Sequence, residues 1–146
     1  MMKWICSIIF VCLSITANAE PINLVGKWQG EYRTYVYRDG SINKGYASTT
    51  FTVIEQDTAF LRATSQWQNH TSKTVKAEVA GDMVQSATET LLGMFSFDGK
   101  EVTFIDTKDN GMFKMKIIDN NTMQAMYIEN QHHEATLFRV ELKRVK

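Results

Sequence analysis

Hydrophobic and polar residues alternate along this chain with a period of two rather than 3.6. Leu24, Trp28 and Tyr32 share one parity, and Lys27, Gln29, Glu31 and Arg33 take the other. The same alternation recurs at Phe51 and Val53, at Val75, Ala77 and Val79, at Phe113, Met115 and Ile117, and at Phe138, Val140 and Leu142. A strand points successive side chains to opposite faces, so each run reads as a half-buried β-strand. The pattern predicts eight or nine antiparallel strands, over about 24–37, 45–56, 59–68, 73–80, 90–97, 101–106, 112–118, 122–129 and 133–144. Only 81–90 leaves room for a short helix.

Turn dipeptides separate these runs. Asp39-Gly40, Asp98-Gly99 and Asn110-Gly111 are hairpin signals, because glycine reaches positive φ at little cost; Asp119-Asn120-Asn121 is a fourth turn. Consecutive hairpins about ten residues apart predict an up-and-down meander. Closing it into a single antiparallel barrel of about eight strands removes the exposed edges. The fold class expected is therefore all-β.

The first nineteen residues break the alternation. A basic start at Lys3, an apolar run from Trp4 to Ile15, and small residues at Ala17 and Ala19 form the pattern of a cleavable export signal, with processing expected after Ala19. The run is shorter than the roughly 20 apolar residues that a membrane-spanning helix needs. A mature chain of 127 of the 146 residues would then be one barrel domain, 20–146, periplasmic or secreted, with no integral membrane segment. Both cysteines, Cys6 and Cys12, fall in the signal, so disulfide and thiolate chemistry are excluded from the mature chain. Its 15 basic and 16 acidic residues nearly cancel, which gives no electrostatic footprint for nucleic acid.

Asn23-Leu24-Val25-Gly26-Lys27-Trp28 resembles the Gly-x-Trp opening of the calycin barrels, the group of lipocalins, fatty-acid-binding proteins and avidins. The ending Leu142-Lys143-Arg144-Val145 is similar to that of small bacterial lipocalin-like proteins. The resemblance implies that Trp28 plugs the closed end of the barrel and that an arginine of the last strand packs across its ring. Parity selects Arg144 for that place, because it continues the inward series Phe138, Val140, Leu142, whereas Arg139 falls outside. No disulfide, C-terminal helix or biotin-binding pattern accompanies the resemblance.

Candidate chemistry is sparse. His132-His133-Glu134 is the one clustered ligand set, but adjacent strand histidines face opposite ways, so no metal site is expected. Methionines Met83, Met94, Met112, Met115, Met123 and Met126 read as core or cavity filler. Glu55, Asp57, Glu89, Asp98, Glu101 and Asp106 show no general acid–base pairing, no catalytic residue stands out, and no cofactor is implied. What remains is aromatic. Inward parity selects Phe51, Phe95, Phe97, Phe104, Phe113 and Met115 as the lining of a cavity at the open end, with Tyr127 as its polar handle. The leading expectation is a barrel that binds a small apolar or amphipathic molecule. A filled barrel acting as an interaction or inhibitor module of the cell envelope, and a small-barrel cyclase or isomerase, are the alternatives.

Overall fold

The computed structural model describes residues 22–70 and 86–146. Eight strands follow one another: β1 (Gly26–Arg38), β2 (Ser41–Gln56), β3 (Phe60–His70), β4 (Ser86–Phe95), β5 (Glu101–Asp106), β6 (Met112–Asp119), β7 (Thr122–Gln131) and β8 (Glu134–Arg144). Each pairs antiparallel with the next, and β8 returns to β1, so the sheet is a closed barrel. The expected all-β barrel is the one observed. The expected strand 73–80, Met83 and the export signal lie outside the described residues. Of the possible helix over 81–90, residues 86–90 are strand: β4 begins at Ser86 and pairs with β3 from Gln68 down to Phe60.

Alternation decides which residues fill the barrel. Along β5 the pattern is strict, with Val102, Phe104 and Asp106 buried and Glu101, Thr103 and Ile105 exposed. Trp28, Phe51, Leu61, Leu91, Phe104, Phe113, Met115, Met123 and Leu142 are almost wholly withdrawn from solvent. An eight-stranded barrel has an interior just wide enough for such side chains or one small ligand. Met94 and Met126 are not filler, since both stand on the outer face. Among the described residues no helix is long and apolar enough to cross a membrane.

The turns divide by mechanism. Asp39 (φ 48°) and Gly40 (φ 84°) are both left-handed, as a two-residue primed hairpin requires, and Gly99 (φ 67°) serves the β4–β5 turn. Asn110-Gly111 and Asp119-Asn120-Asn121 form their connections without positive φ. Gly111 answers a different demand: a Cβ there would collide with the Tyr127 hydroxyl.

Strand directions assign the two ends. β1, β3, β5 and β7 rise from the Trp28 end, and the even strands descend to it. That end is closed by the segment before β1. Leu24 is buried, and its N–H donates to Gln56 Oε1 (2.7 Å) while Gln56 Nε2 donates to the Ile22 carbonyl (3.1 Å). Trp28 Nε1 donates to the Leu24 carbonyl (2.9 Å). Gly26 takes φ 132° with Arg144 Nη1 only 3.1 Å from where a Cβ would stand, so both backbone and space call for glycine in Gly-x-Trp.

Candidate functional site

Moving up β1 from the plug, the inward positions become less buried. Trp28 and Tyr32 are buried, while Thr34 and Val36 are half-buried. The interior changes character over the same distance. Its lower half is aromatic and mutually packed: Phe51 meets Phe104 at 5.0 Å and Phe113 at 5.7 Å between ring centroids. Phe113 then meets Tyr127 (4.6 Å) and Phe138 (6.0 Å), and Tyr32 stacks on Phe138 (3.9 Å). Such edge and offset contacts add to the burial of the rings themselves.

Above this floor the inward face turns polar. Ser65 on β3 lies across from Phe51 on one side and Glu89 of β4 on the other. Ser65 Oγ and Thr49 Oγ1 hydrogen-bond at 3.2 Å, both buried. Glu89 Oε1 accepts from Trp67 Nε1 at 3.0 Å. Tyr127 donates its hydroxyl proton to Glu129 Oε2 at 3.0 Å. Asp106, at the upper end of β5, is turned inward with Val102 and Phe104. Its Oδ1 caps the following loop by accepting from the Lys108 (2.7 Å) and Asp109 (3.3 Å) amides. Its Oδ2 is buried with no hydrogen-bond partner among the described residues.

The titration of these groups reflects their burial on the inner face. Burial pushes the Glu89 carboxyl up to about 7; the Trp67 hydrogen bond opposes the shift, and the charges of Asp106, Glu129 and Asp109 reinforce it. Burial first, then neighbouring carboxylates, holds the Tyr32 and Tyr127 hydroxyls well above the ordinary phenol range. At neutral pH both phenols are therefore hydrogen-bond donors, and Glu89 is poised between its charged and neutral forms. A carboxyl so tuned can donate, accept or exchange a proton with a bound molecule.

The residues selected by parity divide between three places. Phe51, Phe104, Phe113 and Met115 form the buried floor, and Tyr127 stands at its upper edge with its hydroxyl in the polar layer. Phe95, at the foot of β4, is half-buried against the core at the Trp28 end, opposite the mouth. Phe97 is fully exposed and faces no cavity. The strand stops at Phe95 because Ser96 Oγ donates to Asp98 Oδ1 (2.6 Å) and Gly99 turns the chain, so the alternation does not extend to Phe97. Trp28 and Arg144 are at the closed end, with the guanidinium 4.2 Å from the indole centroid. His132 and His133 occupy the β7–β8 turn.

Glu89 and Asp106 are the inward carboxyls that the sequence pattern does not join to the aromatics Tyr32 and Trp67. Leu91 and Gly93 are inward on β4, and stepping that parity back by two selects Glu89. Assigning residues up to Thr90 to a possible helix hid the step.

No protein-family model and no curated protein matches the chain. Among solved structures it is similar to the S-type phycobiliprotein lyase CPES from Guillardia theta, with a TM-score of 0.50 and 11% identity, over 84% of this chain and 89% of that one. At that identity the likeness speaks for the fold, and it fits a calycin-like barrel.

Proposed function

We propose that this protein is an exported calycin-like barrel that binds one small amphipathic molecule in its open half. The observation that carries this reading is the change along the interior from a floor of Phe51, Phe104 and Phe113 to a polar layer of Tyr32, Trp67, Glu89 and Tyr127. A pocket with an apolar body and a few convergent polar groups is the usual architecture of a small-molecule site. Removal of residues 1–19 on export belongs to the same reading.

The reading is tested by thermal-shift and tryptophan-fluorescence titration with amphipathic aromatics, fatty acids, retinoids and quinones. A ligand of the folded state raises stability by about 2.7 kcal/mol at a hundredfold excess over Kd. Binding in the upper half should also change the emission of Trp67, and Trp67→Phe should abolish that change while the melting shift persists. Absence of any shift across the panel overturns the proposal.

A second reading, an interaction module of the cell envelope, is favoured by the outer face. Leu92, Ile105, Met112, Ile128, Leu137 and Tyr35 stand on β4, β5, β6, β7, β8 and β1, and each is the register partner of the next. They form one unbroken apolar row around most of the barrel, with Leu92, Ile105, Leu137 and Tyr35 exposed. Contiguous exposed apolar surface marks interaction sites more often than scattered residues do.

A further inference from the structure

We infer that the ligand of the open half is a cation: an organic ammonium whose charged nitrogen sits among Asp106, Glu89 and Glu129 and whose apolar body rests on the aromatic floor. The inference deepens the binding reading above and rests on it. It begins from Asp106, whose inward-facing side chain is 7% exposed and whose Oδ2 has no hydrogen-bond partner among the described residues. A buried carboxylate oxygen left unpaired costs free energy, and native structures seldom tolerate one without an ion, water or ligand to complete it.

Other carboxylates act on the same inner face. Glu89 on β4 feels Asp106 on β5, Asp109 in the next loop and Glu129 on β7, and all three raise its affinity for a proton. Tyr127 on β7 feels Glu129, Glu89 and Asp106 in the same sense. Among the described residues β3 contributes Ser65 and Trp67, β2 Thr49, β8 Phe138, and β1 the protonated phenol of Tyr32, while at the upper rim Arg38 of β1 and Glu134 of β8 pair with each other and cancel. Like charges converging on a half-buried space are relieved by an incoming positive charge. Aromatic rings at Trp67, Tyr32 and Phe138 suit the same guest, because a cation is also attracted to a ring face.

The geometry favours an organic cation over a metal ion. Among the described residues no three carboxylates or histidines are grouped closely enough to hold one metal. An ammonium on an extended body can instead donate to Asp106 Oδ2 and feel Glu89 and Glu129 at longer range through their charge, while burying carbon against Phe113 and Tyr127. Binding a positive charge also draws Glu89 toward its ionised form, so a proton leaves as the amine enters.

The test uses matched ligands of one shape: 2-phenylethylamine, 2-phenylethanol and 3-phenylpropanoate, titrated into the wild-type protein by calorimetry. The amine should bind at least tenfold more tightly than the alcohol, and the carboxylate most weakly. Asp106→Asn keeps the Oδ1 acceptor that caps the loop. It should weaken the amine at least tenfold while leaving the alcohol within about twofold, and Glu129→Gln should act in the same direction. Amine binding at pH 7 should release protons, seen as a heat that changes between buffers of different ionisation enthalpy, and Glu89→Gln should remove that release. Equal affinity for amine and alcohol, or an Asp106→Asn loss shared by both, overturns the cationic assignment and leaves amphipathic binding standing. Failure of all three ligands and of the wider panel overturns the binding reading itself, and this inference with it.

Discussion

Arg144 holds Trp28 from the opposite end of the chain. Its guanidinium lies 4.2 Å from the indole centroid and donates to the carbonyls of Asn23 (2.7 Å), Val25 (2.8 Å) and Asn120 (2.8 Å). One planar fork thus covers the plug and ties the segment before β1 to β8 and the β6–β7 turn. Trp28→Ala should cost about 3–5 kcal/mol, as truncation of a fully buried aromatic does. Arg144→Ala should cost less, since the ring contact contributes about 0.5–2 kcal/mol, but should free the amides of residues 22–25 to exchange. Arg144→Lys should not restore their protection, because an ammonium cannot span three carbonyls in one plane. Chemical denaturation and amide exchange check both effects; a Trp28→Ala loss below about 0.5 kcal/mol would disprove the plug.

That pair was legible in the sequence because both ends of the argument were local. Strand parity places Trp28 and Arg144 on the inner face, and the Gly-x-Trp opening supplies the reason to connect them. The floor of the site was legible in the same way at Phe51, Phe104, Phe113 and Met115. Parity says which face a residue takes but not its height in the barrel, so Phe95 fell at the wrong end. Phe97 shows the other weakness, where a turn built from Ser96, Asp98 and Gly99 ends the strand two residues early. The polar layer was not legible as a unit: parity alone selects Glu89, but Asp106 and Glu129 come within electrostatic reach of it only once β4, β5 and β7 close into the barrel.

Gly111 tests whether a glycine serves a turn or a close approach. Neither Asn110 nor Gly111 has positive φ, and the Tyr127 hydroxyl occupies the space of the missing Cβ. Gly111→Ala should therefore destabilise by about 1–3 kcal/mol through overpacking. Gly111→Asn, which a left-handed turn would accept, should be at least as harmful. Melts of the two variants decide the matter: tolerance of Asn alone would restore the turn explanation.

Glu89 gives the barrel a pH signature. Its carboxyl is raised from 4.5 to about 7 in the folded state, so between those values the folded chain holds a proton that the unfolded chain has lost. Stability from this group is full below about pH 4.5 and disappears as pH rises through about 7. The Glu89→Gln variant should match wild type at low pH and exceed it at pH 8, with a flatter profile between. Parallel denaturant titrations across pH 4–8 would show this, and superimposable slopes for the two proteins would contradict it.

Export is checked at the N-terminus. The small residues Ala17 and Ala19 before Glu20-Pro21 set the expected cut. Intact-mass and N-terminal analysis of protein recovered outside the cytoplasm should find Glu20 first. Recovery there of a chain still beginning at Met1 would remove the export signal from the reading.

The apolar row on the outer wall separates surface association from binding in the mouth. Ile105 and Leu137 stand on β5 and β8, exposed and facing away from the core. Replacing both by Lys should change stability by no more than about 0.5 kcal/mol per site, because neither fills the interior. The row would nonetheless be broken at two points. If it forms one interaction surface, wild-type protein should be retained on a phenyl-substituted matrix at moderate salt, and the double variant should elute much earlier. Amine and alcohol affinities measured on the same two proteins should be equal, since the mouth is untouched. Unchanged retention would mean that the six residues do not act as a continuous surface, and the interaction-module reading would lose its support.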